Sequence, residues 1–201
     1  MLEYENELYK NGVNLIAGVD EVGRGPLVGP VVAASVILPK GFFNSKINDS
    51  KKLTEKKREE LYDLIMKNAL SVGVGIIDNH RIDEINIYEA TKEAMIEAIN
   101  KLSIKPEHIL IDAMKLDLDV PSTSIIKGDA KSESIAAASI IAKVTRDRML
   151  IELDQKYPMY NYKKNKGYPT KEHLEAINKY GVTDLYRKSY GPVKECLDKN
   201  K

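Results

Sequence analysis

The feature that most constrains this fold is a long helical segment that is apolar on nearly every side. Residues 132–155 have the periodicity of one helix, and its first half is built mainly from alanine and isoleucine, as in the run 135–142 (IAAASIIA). A helix that is hydrophobic all round is buried. Other elements of the chain must therefore cover it.

The covering elements are predicted by short apolar runs and by further helical periodicity. Runs rich in valine and isoleucine and bounded by turn residues indicate strands, and the first two strands are close enough in sequence to form a hairpin. Strands followed by alternating helices and strands favour an α/β fold with a mixed five-stranded sheet flanked by helices. The predicted strands are 15–19, 28–38, 70–77, 108–112 and 122–126, and the predicted helices are 55–69, 80–101, 132–155, 171–180 and 192–199.

Length and composition bound the class of protein. A chain of 201 residues suits one domain with a modest appendage, and the composition shifts near residues 155–165. We therefore expect a core over 1–155 and a helical carboxyl-terminal segment over 156–201 that packs on it. A single cysteine, Cys196, with no apolar run of membrane-spanning length and no signal-peptide pattern, predicts a cytoplasmic protein that does not bind membranes. The formal net charge of +1 shows that the protein is not basic overall, so any basic surface must be a local patch.

Carboxylates follow two of the predicted strands directly. Asp20 ends the first apolar run with Glu21 beside it, and Asp112 ends the fourth. If these strands are parallel neighbours, the acids meet at the carboxyl edge of the sheet, where open α/β sheets bind ligands. Asp129, just before the long helix, could join them. Such a cluster needs protons or cations, and its hard oxygen ligands suit Mg²⁺ or Mn²⁺.

Each of these acids also has a simpler interpretation. An aspartate at a strand end often starts a turn, as Asp20 and Asp112 would. Asp129 could serve only as the N-cap of the helix that follows it. The pattern by itself leaves these alternatives open.

A polar stripe runs along the buried helix. Ser132, Ser139, Lys143 and Arg146 recur at helical spacing and so share one narrow face. This face meets either solvent or a phosphate backbone beside the acids, and the pattern leaves both open.

A glycine-rich loop follows the first acids. Gly23, Arg24 and Gly25 complete neither a P-loop nor a dinucleotide-binding motif, because the lysine, the spacing and the following helix are missing. Glycines instead let a ligand approach the main chain closely. Further basic residues stand at Lys51 and Lys52 and in the tyrosine-bearing stretch 157–171.

Taken together, these residues resemble the type 2 ribonucleases H, and specifically the bacterial ribonuclease HII family. The resemblance covers nearly the whole chain in order, and the first motif and the long-helix motif are the most specific. The motifs are 17–30 (AGVDEVGRGPLVGP), 48–53 (NDSKKL), 110–112 (LID), 127–129 (KGD), 136–147 (AAASIIAKVTRD), 166–170 (KGYPT) and 189–194 (SYGPVK).

The resemblance implies a ribonuclease H-like sheet with a helical carboxyl-terminal segment. It implies a monomeric endonuclease that cuts the RNA strand of RNA–DNA hybrids and cuts 5′ of single ribonucleotides in duplex DNA, leaving 5′-phosphate and 3′-hydroxyl ends. Two Mg²⁺ or Mn²⁺ ions are implied. By position, the metal-binding and catalytic acids are Asp20, Glu21, Asp112 and Asp129, the ribonucleotide-sensing loop is Gly23, Arg24 and Gly25, and the junction-reading residue is Tyr168.

Phosphate contacts are expected from the basic residues and the polar stripe. The candidates are Lys51, Lys52, Ser139, Lys143 and Arg146. Two other functions compete with the nuclease. A DNA recombinase or junction resolvase on a related sheet would cut all-DNA substrates, and a non-catalytic nucleic-acid-binding module would have no need of acids at two strand ends.

Overall fold

The computed structural model describes residues 1–48 and 50–199, so Asp49 of the 48–53 motif and the last two residues of the carboxyl-terminal segment lie outside the described part. All the described strands lie before residue 126, and helices and short turns follow them. The elements are α1 (Glu3–Lys10), β1 (Ile16–Val22), β2 (Val31–Ile37), α2 (Glu55–Asn68), β3 (Ser71–Ile77), α3 (Asn79–Ile85), α4 (Ile87–Asn100), β4 (His108–Asp112), β5 (Ser122–Ile125), α5 (Glu133–Lys156), α6 (Tyr162–Asn165), α7 (Lys171–Tyr180) and α8 (Gly191–Lys199), with short 3-10 turns at Ser50–Lys52, Gly128–Ala130 and Pro158–Tyr160.

The strands form one mixed five-stranded sheet in the order β3-β2-β1-β4-β5. β1 pairs antiparallel with β2, which confirms the predicted hairpin, and β2 pairs antiparallel with β3. On its other side β1 runs parallel to β4, and β4 runs parallel to β5. The mixed α/β sheet predicted from the sequence is therefore confirmed.

The long helix α5 is buried, as its composition predicts, and it lies across β1 and β2. The closest approach is at Gly18 of β1, where an added Cβ would stand 2.0 Å from the backbone carbon of Ser134. No real Cβ tolerates such a contact, so only glycine lets helix and strand meet here. The opposite face of the sheet packs against α4, which comes equally close to Gly73 and Gly75.

Four local features differ from the sequence prediction. β1 continues through Val22, so the first acids lie within the strand rather than after it. The segment 80–101 is two helices, because Asn86 has φ 72° and its side chain caps the start of α4. Residues 3–10 form a helix that no pattern indicated, and the second strand starts at Val31 rather than at residue 28.

The carboxyl-terminal segment packs on the core through a separate apolar cluster. Leu27, Val28 and Leu150 of the core contact tyrosines and aliphatic residues from the segment. The backbone is tied as well, since Leu27 N donates to Gly167 O at 2.8 Å and Arg187 N donates to Leu27 O at 2.8 Å. The division at residue 155 stays a prediction. In the described part of the chain, no helix is long and apolar enough to cross a membrane.

Replacing Gly18 with alanine should destabilise the protein strongly. The new Cβ collides with helix backbone that cannot move aside as a side chain could, so we expect a loss at or above the upper end of the ~1–3 kcal/mol typical of overpacking. Gly191→Ala is the matched control, because nothing lies within 4 Å of its Cβ position. Urea unfolding of both variants tests this, and equal stabilities would contradict the close approach of helix and strand.

Candidate active site

The strand register brings two of the predicted acids side by side. Val19 of β1 pairs with Ile111 of β4, so the next residues along these parallel strands, Asp20 and Asp112, are neighbours at the carboxyl edge of the sheet. Both lie on the face of the sheet that α5 covers, because Gly18 and Leu110 on the same face pack against that helix and its first residues. The convergence inferred from the sequence is thus present for this pair.

The turn before α5 contacts one of these acids, Asp112. The amide of Gly128 donates to Asp112 Oδ1 at 2.6 Å, and Asp129 is the next residue in this 3-10 turn. Asp129 is only 7% exposed and Asp20 only 5%. The helix N-cap is Ser132, whose hydroxyl accepts from the amide of Ile135, so the N-cap alternative for Asp129 is wrong.

Glu21 approaches the acids from the other face of the sheet. Side chains alternate along a strand, so Glu21 lies opposite to Asp20. Its carboxylate is nevertheless close enough to raise the pKa of Asp20, and Asp112 acts on both. The acids therefore lie on both faces of the sheet, at the carboxyl ends of β1 and β4.

Burial dominates the electrostatics of the site. Desolvation raises the pKa of Asp20 well above its usual range, and the charges of Glu21 and Asp112 raise it further. Hydrogen bonds from Ser139 and from the Glu21 amide, at 2.7 Å, oppose this rise only in part. Burial also raises the pKa of Glu21, while the nearby charges of Arg24 and Lys51 lower it. A bound cation would relieve the repulsion among these carboxylates.

The carboxylates fit a hard divalent ion that keeps part of its water shell. Within residues 1–48 and 50–199, no three acidic, histidine or cysteine side chains are grouped closely enough to enclose an ion alone. Mg²⁺ is usually held by one or two carboxylates, with water and substrate phosphate completing its shell. Carboxylates at the carboxyl ends of neighbouring strands match that mode of binding. They match a site in which protein ligands alone surround the ion less well.

The glycine-rich loop lies beside the acids and against Tyr168. An added Cβ on Gly25 would stand 3.2 Å from Tyr168 Cε1, and Tyr168 is 41% exposed. Gly23 has φ 93°, and its Cβ would stand 2.3 Å from Arg146 Nε. The Arg24 side chain is 3.7 Å from Glu21 Oε1. The structure thus brings together the loop, the tyrosine and the acids that the sequence analysis selected separately.

The polar stripe on α5 does not face solvent. Ser139 is buried, with its hydroxyl 2.8 Å from that of Ser50 and in contact with Asp20. Lys143 donates to Asp147 Oδ1 at 2.7 Å, and burial lowers the pKa of its ammonium. The solvent-edge interpretation is wrong for this helix.

The phosphate contact predicted for Arg146 is wrong. Its side chain is fully buried and donates to the carbonyls of Pro30 at 3.0 Å, Lys166 at 2.9 Å and Val28 at 3.0 Å. All three guanidinium nitrogens are occupied, so this residue supports the chain around the loop and does not reach a phosphate. Lys51 and Lys52, by contrast, are exposed on the turn Ser50–Lys52.

The sequence analysis missed two residues that contact the loop, Arg187 and Tyr190. Both lie in the polar region between α7 and α8, where no periodicity or charge cluster marks them. Tyr190 does fall in the last of the motifs that resemble type 2 ribonucleases H, which is the only signal that could have found it.

Comparison with known proteins agrees with this geometry. The family model described as ribonuclease HII matches residues 17–192. A ribonuclease HII of Bacillus mycoides is 60% identical over 199 residues, which cover 99% of this chain and 77% of that protein, and one of Bacillus cytotoxicus is 60% identical over 201 residues, 100% and 77% of the two chains. The chain belongs to the ribonuclease HII family.

Solved structures of ribonucleases H share the fold. The ribonuclease H2 of Pyrococcus horikoshii has a TM-score of 0.80 at 30% identity, over 92% of this chain and 98% of that one. A ribonuclease HII of Archaeoglobus fulgidus, solved in complex with PCNA, has a TM-score of 0.74 at 28% identity, over 88% and 95%. Bst-RNase HIII in complex with Mn²⁺ has a TM-score of 0.69 at 19% identity, over 94% and 71%, which shows a common fold.

As a ribonuclease HII, the protein is an endoribonuclease, a hydrolase with ribonuclease H activity on nucleic acid. The two competing functions, a resolvase and a non-catalytic binding module, are set aside by this membership. Which residues of this chain perform the reaction does not follow from the family alone.

Replacing Asp20 with asparagine should stabilise the metal-free enzyme at neutral pH. The pKa of Asp20 is raised in the folded state, so ionisation costs stability as pH rises from the unfolded pKa towards the folded one. We expect a gain on the order of 1 kcal/mol, which is about 2–4 °C in Tm for a chain of this size. The gain should vanish well below the ordinary pKa of aspartate.

Thermal unfolding in the presence of chelator measures this effect. Asp119→Asn, which alters an exposed aspartate between β4 and β5, is the control and should leave the Tm unchanged. A lower Tm for Asp20→Asn at neutral pH would show that burial and repulsion among the acids do not govern the stability of the metal-free site.

Proposed function

We propose that this ribonuclease HII is a divalent-metal-dependent endonuclease whose catalytic and metal-binding residues are Asp20, Glu21, Asp112 and Asp129. It cleaves RNA in RNA–DNA hybrids and incises 5′ of single ribonucleotides in duplex DNA. The observation that carries the proposal is the parallel β1–β4 register, which makes Asp20 and Asp112 neighbours beside the turn that holds Asp129.

The carboxylates would hold two Mg²⁺ or Mn²⁺ ions. Bound in this way, two ions supply a more acidic water and charge stabilisation on the oxygens of the scissile phosphate. The protein's part is to keep Asp20 buried and to orient both Asp20 and Asp112, through the Glu21 and Gly128 amides. The Mn²⁺ complex of Bst-RNase HIII, a protein of the same fold, supports divalent-metal use.

Recognition of a ribonucleotide would come from the loop and Tyr168. The 2′-hydroxyl distinguishes RNA from DNA at a single nucleotide. Gly23, Arg24 and Gly25 would form the sensing loop, in which the backbone of Arg24 and Gly25 is exposed and the Arg24 side chain lies beside Glu21. The exposed ring of Tyr168 would stack on the neighbouring deoxyribose, a surface that an additional hydroxyl would disturb. An RNA-to-DNA junction would therefore be favoured over uniform RNA.

Binding of the duplex would rest on lysines around the site. Lys51 and Lys52 are exposed, and the charge of Lys51 acts on Glu21, so this turn borders the acids. Ser139 and Lys143 remain proposed substrate contacts, although both already hold partners within the protein. We propose that the enzyme binds its substrates as a monomer and that binding weakens as salt is added.

Asp112→Asn should abolish cleavage of a DNA duplex that contains one ribonucleotide. Losing an anionic ligand for a catalytic ion costs several kcal/mol of transition-state stabilisation, so we expect a rate at least ~100-fold lower. Denaturing electrophoresis of end-labelled duplex, with Mg²⁺ and with chelator, measures this effect and also shows whether the ends are 5′-phosphate and 3′-hydroxyl.

Asp119→Asn is the matched control and should cut like the wild type. An all-DNA duplex of the same sequence should stay intact. Persistent cutting by Asp112→Asn, or cutting by the wild type in chelator, would contradict the proposed metal site.

Tyr168→Ala should reduce incision at a single ribonucleotide more than it reduces cleavage of a uniform hybrid. Loss of aromatic stacking on one nucleotide is worth about 1–3 kcal/mol, or roughly 5- to 150-fold in kcat/KM. Tyr180→Ala, at another exposed tyrosine, on α7, is the control and should affect neither substrate. Equal losses on both substrates would show that Tyr168 does not read the junction.

A further inference from the structure

Arg187 is a fully buried arginine whose partners are two carbonyls of the glycine-rich loop, the carbonyl of Gly29 beyond it and the hydroxyl of Tyr190. Its Nη2 donates to Gly23 O at 2.6 Å, its Nη1 to Arg24 O at 3.0 Å, and its Nε to Gly29 O at 3.0 Å. No carboxylate lies within ion-pair distance of it in the described part of the chain. A guanidinium offers five donors in a fixed planar fork, which is what several carbonyls around one point require.

Tyr190 completes this arrangement. Its hydroxyl donates to Arg24 O at 2.6 Å and accepts from Arg187 Nη1 at 3.0 Å. The carbonyl of Arg24 therefore has two donors from the carboxyl-terminal segment. Hydrogen bonds from Arg187 and Tyr190 turn the carbonyls of Gly23 and Arg24 towards the protein interior.

The direction of these carbonyls determines the direction of the loop amides. A trans peptide unit points its N–H opposite to its C=O, and every described peptide bond is trans. With the carbonyls of residues 23 and 24 turned inward, the N–H groups of Arg24 and Gly25 point outward. Neither N–H donates to an acceptor among the residues that the structure describes.

These outward N–H groups lie where the reacting nucleotide is proposed to bind. Arg24 and Gly25 are exposed, Tyr168 contacts the Cβ position of Gly25, and the Arg24 side chain approaches Glu21. Two adjacent N–H donors with a positive charge buried behind them suit the oxygens of a ribonucleotide and its phosphate.

We propose that Arg187 and Tyr190 are positioning residues that hold the peptide units 23–24 and 24–25 with their N–H groups towards the substrate. The proposal rests on the loop's proposed role in binding the ribonucleotide. Arg146 bonds the carbonyls of Val28 and Pro30 beyond the loop, so the loop carbonyls that Arg187 and Tyr190 hold are those of Gly23 and Arg24.

Tyr190→Phe is the decisive variant, because it removes one hydroxyl and keeps the ring. With one of two donors lost, the Arg24 carbonyl can turn away and weaken the adjacent N–H contacts. We expect KM for a uniform RNA–DNA hybrid to rise about 3- to 10-fold, the effect of one hydrogen bond, with kcat nearly unchanged.

Tyr160→Phe is the matched control. Tyr160 lies in the same apolar cluster, and its hydroxyl donates to a main-chain carbonyl, that of Gly181 at 2.9 Å, away from the loop. Both variants should lower the Tm by similar amounts, but only Tyr190→Phe should raise KM. Equal KM values for the two variants, or an unchanged KM for Tyr190→Phe, would overturn the proposal.

Arg187→Lys gives a second test. A lysine ammonium carries the same charge but cannot reach three loop carbonyls in the arginine geometry. We expect a loss in kcat/KM of at least about 10-fold beyond that of Tyr190→Phe, with the concentration of Mg²⁺ needed for half-maximal rate unchanged. If Arg187→Lys does not fold, Tyr190→Phe decides alone.

The wild-type enzyme on a duplex with one ribonucleotide separates this proposal from the proposed function. If the wild type cuts that duplex and Tyr190→Phe behaves like Tyr160→Phe, the positioning role alone is wrong. If the wild type leaves that duplex intact while Tyr190→Phe raises KM on the hybrid, the single-ribonucleotide activity is wrong and the positioning role stands.

Discussion

The parallel pairing of β1 with β4 is the interaction on which the site depends. It places Asp20 beside Asp112, and burial of that edge raises the pKa of Asp20. Bringing like charges close together is unfavourable, so the rest of the fold has to stabilise these neighbouring carboxylates. Much of that support comes from α5, which approaches β1 so closely that only Gly18 fits between them. The glycine that makes the core tight thus also keeps the acids together.

The loop beside the acids is supported from the far end of the chain. Gly29 N donates to Leu185 O at 3.0 Å, and Leu27 N donates to Gly167 O, so the backbone that directly follows the loop is bonded to the carboxyl-terminal segment. Tyr168 comes from that segment as well. The segment therefore builds part of the proposed substrate-binding surface, whatever the exact boundary between it and the core.

Periodicity and strand-end position predicted the sheet, the buried helix and the placement of Asp20 and Asp112 at one end of the sheet, because each depends on local pattern. The break at Asn86 was not predictable, since its left-handed conformation interrupts a continuous helical pattern. Arg146 was assigned to phosphate because helical spacing identifies a shared face but not what covers it, and here the covering element is a loop over 100 residues away in sequence. Arg187 carries no local signal at all, because its role depends wholly on tertiary contacts.

The two buried arginines, Arg146 and Arg187, affect the electrostatic potential near the acids. Burial and the charge of Arg187 lower the pKa of Arg146 to about 10, so it stays charged at neutral pH. Acidic partners would neutralise both guanidinium groups, but they would add negative charge beside four carboxylates. Carbonyl dipoles stabilise the cations without that charge, and a positive potential remains beneath the loop. Arginines bonded to backbone carbonyls therefore suit a fold that gathers acids at one site and must still attract a nucleic acid, which is a polyanion.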